Sequence, residues 1–447
     1  MIWGGSLQRL AIRIGLAASL ASGTACSSPE GTGSGTDHDV GEVADQRVLR
    51  GADQRADDEV VDQPSDVSSD PTEDSDTSSD DGQIGLDIDP PDQRSTEIEP
   101  DLGPEYVAPV SFRDPIAIAT TEGNSKSPSL ALLSHCDRHV VWHDFSVDPA
   151  NLFYAHSVGS SWDSEPLTLD SSKAIFGQLR AQGAELELVW QSDNNGSPEV
   201  WFSRWSRGSW APAERVGAGS RPALSLAADG TPHAVFFDGS GVSHATRVGG
   251  QWAAGDPISV DFNYLNELRL GLVSEGDDLV LALSTSPGEV SYDIRLWHWS
   301  TGQGWTGPTF LHESVGLSSD DMAGASYDGV SRWVWTEQDP TDEWTIGIAR
   351  KVQGGGLQWI ARPDGFSVSP QISVGPDGTE AVVFITPSET VGFAQSPYSE
   401  WSDLGGVGVI AVDLKVDRDG ASHIVFAGRD TNGVQQIFYT TNSGRCQ

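Results

Sequence analysis

The chain has 447 residues and a formal net charge of −39, from 65 Asp and Glu against 26 Lys and Arg. So acidic a balance excludes a phosphate-contacting nucleic-acid binder, which needs clustered Lys and Arg. Three cysteines exclude a disulfide-dense scaffold and a four-thiolate zinc site, and 50 Gly, 25 Pro and 16 Trp point to many turns with aromatic anchors rather than helices. The charge is unevenly distributed. Residues 1–26 carry two Arg and no acid, residues 27–105 carry 24 acids and 4 Arg (net −20), and residues 106–447 carry 41 acids and 20 bases (net −21).

Residues 1–25 read as an export signal. Arg9 and Arg13 precede the short apolar run Ile14–Ala21, followed by small residues up to Cys26. A basic start, a short apolar core and small residues define a secretory signal rather than a permanent span. Ser22-Gly23-Thr24-Ala25-Cys26 resembles the bacterial lipobox, although Gly23 stands where that motif prefers Leu. The resemblance implies lipidation of Cys26, and two or three acyl chains anchor a protein stably.

Residues 26–105 follow as the lipidated Cys26 and a tether rich in Ser, Asp and Pro, with no Phe, Trp or Tyr before Tyr106. Low hydrophobicity with high like charge cannot offset ordering entropy, so a disordered spacer is expected, roughly 50 Å in root-mean-square span. Asp80-Asp81-Gly82 and Asp87-Ile88-Asp89 suggest a possible Ca2+ site, but no full calcium loop with a terminal Glu is present; no other cofactor is expected.

From residue 106 to 447 a unit recurs every 42–54 residues. Its second strand is anchored at Val141-Trp142, Val189-Trp190, Val235-Phe236, Leu281-Ala282, Val334-Trp335, Val383-Phe384 and Val425-Phe426, and its fourth at Trp162, Trp210, Trp252, Trp305, Trp359 and Trp401. Asp-Gly turns such as Asp229-Gly230 and Asp419-Gly420 separate the first two strands. Four short strands per unit without helical periodicity predict an all-β fold, a single β-propeller of seven four-stranded blades. The chain ends after a third strand, so an N-terminal strand, Glu105–Val110, is expected to complete the last blade and close the ring. Cys136, after a first strand of blade one, and Cys446, after a third strand of blade seven, then share one face at the seam, which suggests a disulfide in an exported protein.

The Asp229–Phe236 and Asp419–Phe426 hairpins and the Gly-x-Trp ends resemble the sialidase-like and BNR-repeat propellers of bacterial envelope proteins. No Asp box is complete, however; Ser157–Trp162 keeps only its Gly and Trp. Members with sialidase activity use three Arg, a Tyr–Glu nucleophile pair and an Asp acid/base. Phe112-Arg113-Asp114-Pro115 resembles the motif that holds the first Arg, with Arg221 and Arg269 as further candidates and Tyr398/Glu400 as the nearest Tyr–Glu pair. No Asp matches the acid/base role. His135, His139, His143 and His156 cluster in blade one without a metal-ligand spacing, so they read as packing residues and no metal site is assigned.

The loops between second and third strands are acidic and amide-rich, and a propeller places them on one face. Asp144, Asp148, Asp193, Asn195, Asp238, Glu337, Asp339 and Asp430 therefore form the candidate binding face, with no catalytic residue assigned. The expected protein is a monomeric, exported lipoprotein, anchored to the outer membrane or cell surface and displaying a propeller that binds a carbohydrate or protein ligand or serves as a scaffold. Sialidase-like glycoside hydrolysis is the alternative. Replacing Cys26 by Ala should move the protein from the membrane to the soluble fraction, as followed by fractionation and immunoblotting.

Overall fold

The computed structural model describes residues 110–444, less 120–123, 147, 168, 170–172, 195, 259, 261–269, 286–292, 314–321, 339–343, 353–355, 362–367 and 399. The expected signal and tether (residues 1–105, with Cys26) and Cys446 lie outside the described residues. Among the described residues, twenty-nine strands form seven antiparallel sheets. Blade one consists of Ser125–Ser134, Asp137–Asp144, Asn151–Val158 and Asp163–Pro166. The first strands of the later blades are Lys173–Gln182, Ser220–Leu226, Leu270–Glu275, Met322–Tyr327, Val368–Val374 and Ala411–Val416. These seven strands are successive neighbours, and Ala411–Val416 returns to Ser125–Ser134, so they line the centre of a closed ring. The chain is a seven-bladed β-propeller, as its repeat predicts.

The closing strand lies further along the chain than expected. Ile116–Ala119 pairs with Gln435–Thr441 to complete blade seven, with Ile116 opposite Tyr439. Glu105–Pro109 fall outside the described residues. Pairing is prepared upstream, where the Arg113 N–H donates to the Thr441 carbonyl at 3.1 Å and Thr440 Oγ1 donates to the Arg113 carbonyl at 2.6 Å.

Each first strand is a sheet edge, so its unpaired N–H groups need acceptors from elsewhere. Neighbouring blades supply side chains. Leu130 N–H donates to Asp413 Oδ2 at 2.7 Å, Leu179 N–H to Ser129 Oγ at 3.0 Å, Leu224 N–H to Gln178 Oε1 at 3.3 Å and Val416 N–H to Ser373 Oγ at 3.0 Å. The second strands are covered on both faces by adjacent blades. Pro232–Phe237 and Glu380–Ile385 are therefore buried throughout, including their polar residues His233 and Glu380.

A second inter-blade contact explains the Gly-x-Trp signal. Trp162 packs edge-on against Tyr439 of blade seven, Trp210 against Tyr154, Trp252 against Phe202 and Trp305 against His244, with ring centroids 5.1–5.4 Å apart. In each case a Trp in or just before the outer strand clasps a third-strand ring of the preceding blade, opposite Val425, Val141, Val189 or Val235. Blade seven has no such Trp. Phe112 takes the role, 4.7 Å from Phe393 of blade six. Trp142, Trp190, Trp333 and Trp335 are fully buried core.

The seam predicts a measurable sensitivity. Ile118 is buried in the closing strand; Ile118→Ala should lower unfolding free energy by about 2–4 kcal/mol in urea titration.

Candidate functional site

Four first strands share a backbone irregularity at their entry into the ring. In Ser127-Pro128-Ser129, Phe176-Gly177-Gln178, Arg221-Pro222-Ala223 and Ser369-Pro370-Gln371 the leading residue has φ between +48° and +55°. Pairing with the second strand slips at each, between Lys126 and Ser129, Ile175 and Gln178, Ser220 and Ala223, and Val368 and Gln371. These are β-bulges, which turn side chains away from the pleat. At three of them the next residue is proline (Pro128, Pro222 and Pro370), which donates no N–H and so suits an edge; after Phe176 it is Gly177. A left-handed conformation is costly for Phe and Arg and persists only where neighbours enforce it. At Arg221 that support includes its own N–H, bonded to Gln191 Oε1 at 3.0 Å.

The bulges surround a cavity of about 370 Å³ on the ring axis, lined by first-strand residues of all seven blades. Phe176 and Arg221 stand side by side on its wall, the guanidinium 6.0 Å from the ring centroid. Phe176 keeps 38 % of its surface exposed, and Phe145 on the adjacent loop 41 %. His143 packs edge-on against both, at 5.8 Å and 5.1 Å. Lys126 Nζ lies 5.3 Å from the Phe145 ring. Gln178, Gln371, Ser127 and Ser369 add amide and hydroxyl groups to the wall.

Among the described residues, three cations line the cavity, Arg180, Arg221 and Lys415, against the single carboxylate of Asp413. Lys415 Nζ contacts both oxygens of Asp413 at 3.0 and 3.2 Å and donates to the Leu414 carbonyl at 2.9 Å. Its side chain keeps 27 % exposure because it faces the cavity, though protein surrounds it. Burial lowers the Lys415 pKa, Asp413 opposes the shift, and the charge of Arg180 adds to it. Arg180, bonded to the Leu179 carbonyl at 3.0 Å, is likewise lowered by burial and supported by Asp413. Asp413 also accepts from Leu130 and Leu414 N–H. The centre of a strongly acidic chain thus carries more positive than negative groups.

The acidic face expected from the loops has a different local chemistry. Asp144 is buried and accepts from Ser125 Oγ and Ser146 N–H, both at 2.7 Å. Asp148 is exposed. Asp193 accepts from Gly196 N–H at 3.1 Å and lies 3.8 Å from Lys173 Nζ. Asp238 closes its turn through Ser240 and Gly241 N–H and Ser243 Oγ; partial burial opposes ionisation, but these bonds outweigh it and hold the carboxyl at about 2. Glu337 is buried against Trp335 Nε1 at 3.1 Å and His312 Nε2 at 2.6 Å. Asp430 accepts from Asn432 and Val434 N–H at 2.8 and 2.9 Å. Asn195 and Asp339 lie outside the described residues. Of these acids, the turn formers Asp238 and Asp430 use their oxygens locally, while the cavity wall holds Arg180, Arg221, Lys415 and the exposed ring of Phe176.

Nor do the sialidase-type candidates among the described residues converge. Arg221 lines the cavity, but Arg113 is exposed on the closing segment and tied by its backbone to Thr441. Tyr398 is buried between blades five and six, donating to Glu380 Oε2 at 3.3 Å, and Glu380 also pairs with Arg332 and Arg350. Burial, with Glu380 adding, raises the Tyr398 pKa. Arg269 lies outside the described residues. Cys136 is disulfide-bonded in the turn after the first strand of blade one.

No protein-family model matches the chain, and no curated protein does. Solved structures resemble it at low identity. A protein of unknown function from Dyadobacter fermentans is 13 % identical with a TM-score of 0.42, covering 74 % of this chain and 98 % of that one. The fucose-specific lectin of Aleuria aurantia is 10 % identical with a TM-score of 0.42, covering 58 % and 89 %. The subtype N11 neuraminidase-like protein of influenza A from a flat-faced bat is 12 % identical with a TM-score of 0.43, covering 63 % and 90 %.

Buried histidines near this site and in the neighbouring blades set a pH response. Burial lowers His143 and His233 to about 4 and His244 to about 3, the last with His233 adding. Unfolded histidine titrates near 6.5, so below that pH the unfolded chain binds more protons and native stability falls until the folded values are passed. The thermal midpoint should drop by several degrees between pH 7 and pH 5, as read by calorimetry.

Proposed function

We propose that the chain is an exported, lipid-anchored protein whose propeller captures a carbohydrate at the rim and wall of its central cavity. The observation that carries this is Phe176, an exposed aromatic ring held at φ +55° on the cavity wall. Strain in a bulky residue that gains no full burial indicates a use for its position. A phenyl face beside amides, hydroxyls and Arg221 offers a sugar both a stacking surface and directed hydrogen bonds. Arg180 and Lys415 beneath would favour a ligand bearing an anionic group. Cys26 and the acidic spacer would supply anchor and reach. Cys446 is the partner we propose for Cys136, which would hold the C-terminus at the seam.

Binding without cleavage is the better-supported reading, since neither Arg113 nor Tyr398 reaches the cavity. The test is a glycan array probed with the chain carrying Cys26→Ala, with hits quantified by calorimetry. Phe176→Gly should weaken those hits at least tenfold while leaving the thermal midpoint unchanged or raised, because glycine accepts positive φ without strain. An array without hits, or equal affinity in the variant, would overturn the assignment.

A further inference from the structure

A polar node recurs two residues before the second-strand valine, and blade one departs from the others there. In blade seven His423 bonds Tyr439 Oη through Nδ1 at 2.6 Å and Asp417 through Nε2 at 3.1 Å. In blade three His233 meets His244 at 3.1 Å and Thr246 at 3.2 Å. Across the strand pair, His423 faces Thr441 and His233 faces Thr246. In blade one the corresponding His139 faces a second histidine, His156.

His139 is fully buried, with Nδ1 2.7 Å from Tyr154 Oη. Its Nε2 lies 2.8 Å from Asp137 Oδ1, and His156 Nε2 lies 3.3 Å from that same oxygen. Close as they are, Asp137 Oδ1 and His139 Nε2 are both buried without a directed hydrogen bond. The two imidazoles are near-parallel, 4.7 Å between centroids, and Trp205 covers them at 5.1 and 6.3 Å. All three donor atoms fall within 4.8 Å of one another.

We propose that Asp137, His139 and His156 form a binding site for a divalent transition-metal ion of the zinc type. Ligand bonds of about 2.0–2.2 Å place adjacent donor atoms roughly 3–3.5 Å apart, near the spacing found around Asp137. Two imidazoles and one carboxylate suit zinc and its neighbours rather than calcium, which takes oxygen ligands. Tyr154 supplies the supporting contact: with its hydroxyl accepting from Nδ1–H, the Nε2 lone pair of His139 is free for the ion. Asp137 and His156 each keep 32 % side-chain exposure, leaving an approach for the ion and for water as a further ligand. The bonded Cys136 next door offers no thiolate.

The test is titration of the full chain, stripped with chelator, with Zn2+ by calorimetry and with Co2+ by visible absorption. The wild type should take up one tight equivalent, with Co2+ ligand-field bands and a Zn2+-dependent rise in thermal midpoint. His156→Thr installs the residue that blades three and seven carry. It should bind at least tenfold more weakly and lose both the bands and the shift, while weak binding to surface carboxylates stays the same. Asp137→Asn, which conserves volume, should do likewise. Affinity within twofold of wild type in both variants, or a wild type without a tight equivalent, would overturn the site.

Discussion

Everything in this propeller depends on how seven sheet edges are satisfied around one axis. The first strands cannot hydrogen-bond to one another as a continuous ladder, so their inward N–H groups would be left unpaired. Asp413, Ser129, Gln178 and Ser373 each reach from one blade to the backbone of the next. The channel is consequently polar by necessity before any ligand is considered. Asp413 shows the double duty most clearly, since it accepts from two backbone amides and also neutralises Lys415.

That necessity explains where a site could arise. A wall already furnished with amides and hydroxyls needs few changes to recognise a polar guest. Bulges at four entries among the described residues then tilt Ser127, Phe176, Arg221 and Ser369 out of the regular pleat. The result is asymmetric: bulky groups stand in blades two and three, and serines in blades one and six. A ring of near-identical units thereby acquires an orientation, which a ligand without sevenfold symmetry requires.

The architecture was legible in the sequence because its signals repeat. Trp162, Trp210, Trp252 and Trp305 stand at one position of a period, and their clasping of the preceding blade accounts for their spacing. The closing strand was legible in kind but not in place: Glu105–Val110 mimic the Gly-x-Trp ends, whereas Ile116–Ala119 pair with Gln435–Thr441 and Phe112 replaces the absent Trp. Phe112-Arg113 reads as a substrate-binding motif only when its neighbours in space are unknown. Arg180 and Lys415 carry no linear signal of their place, since a charged residue on an alternating strand looks solvated, and the inner wall of a ring is invisible to a linear pattern. The x-Pro-x-Leu or x-Gly-x-Leu entry at Ser127, Phe176 and Arg221, and x-Pro-x-Ile at Ser369, was a readable signal for the bulges. Blade-one histidines lacked a recognisable spacing because His156 joins Asp137 and His139 from the facing strand of the hairpin.

The Phe112 contact and the strand after it carry a mechanical meaning. The chain passes from its acidic N-terminal part into the ring at the seam, through Phe112 and then Ile116–Ala119, the edge strand of blade seven. Tension arriving from that side would act first on this one strand and its clasp, leaving six covalently continuous blades behind it. Blade seven would shed its outer strand like an unfastened buckle, at a single defined place, before any other blade lost a strand.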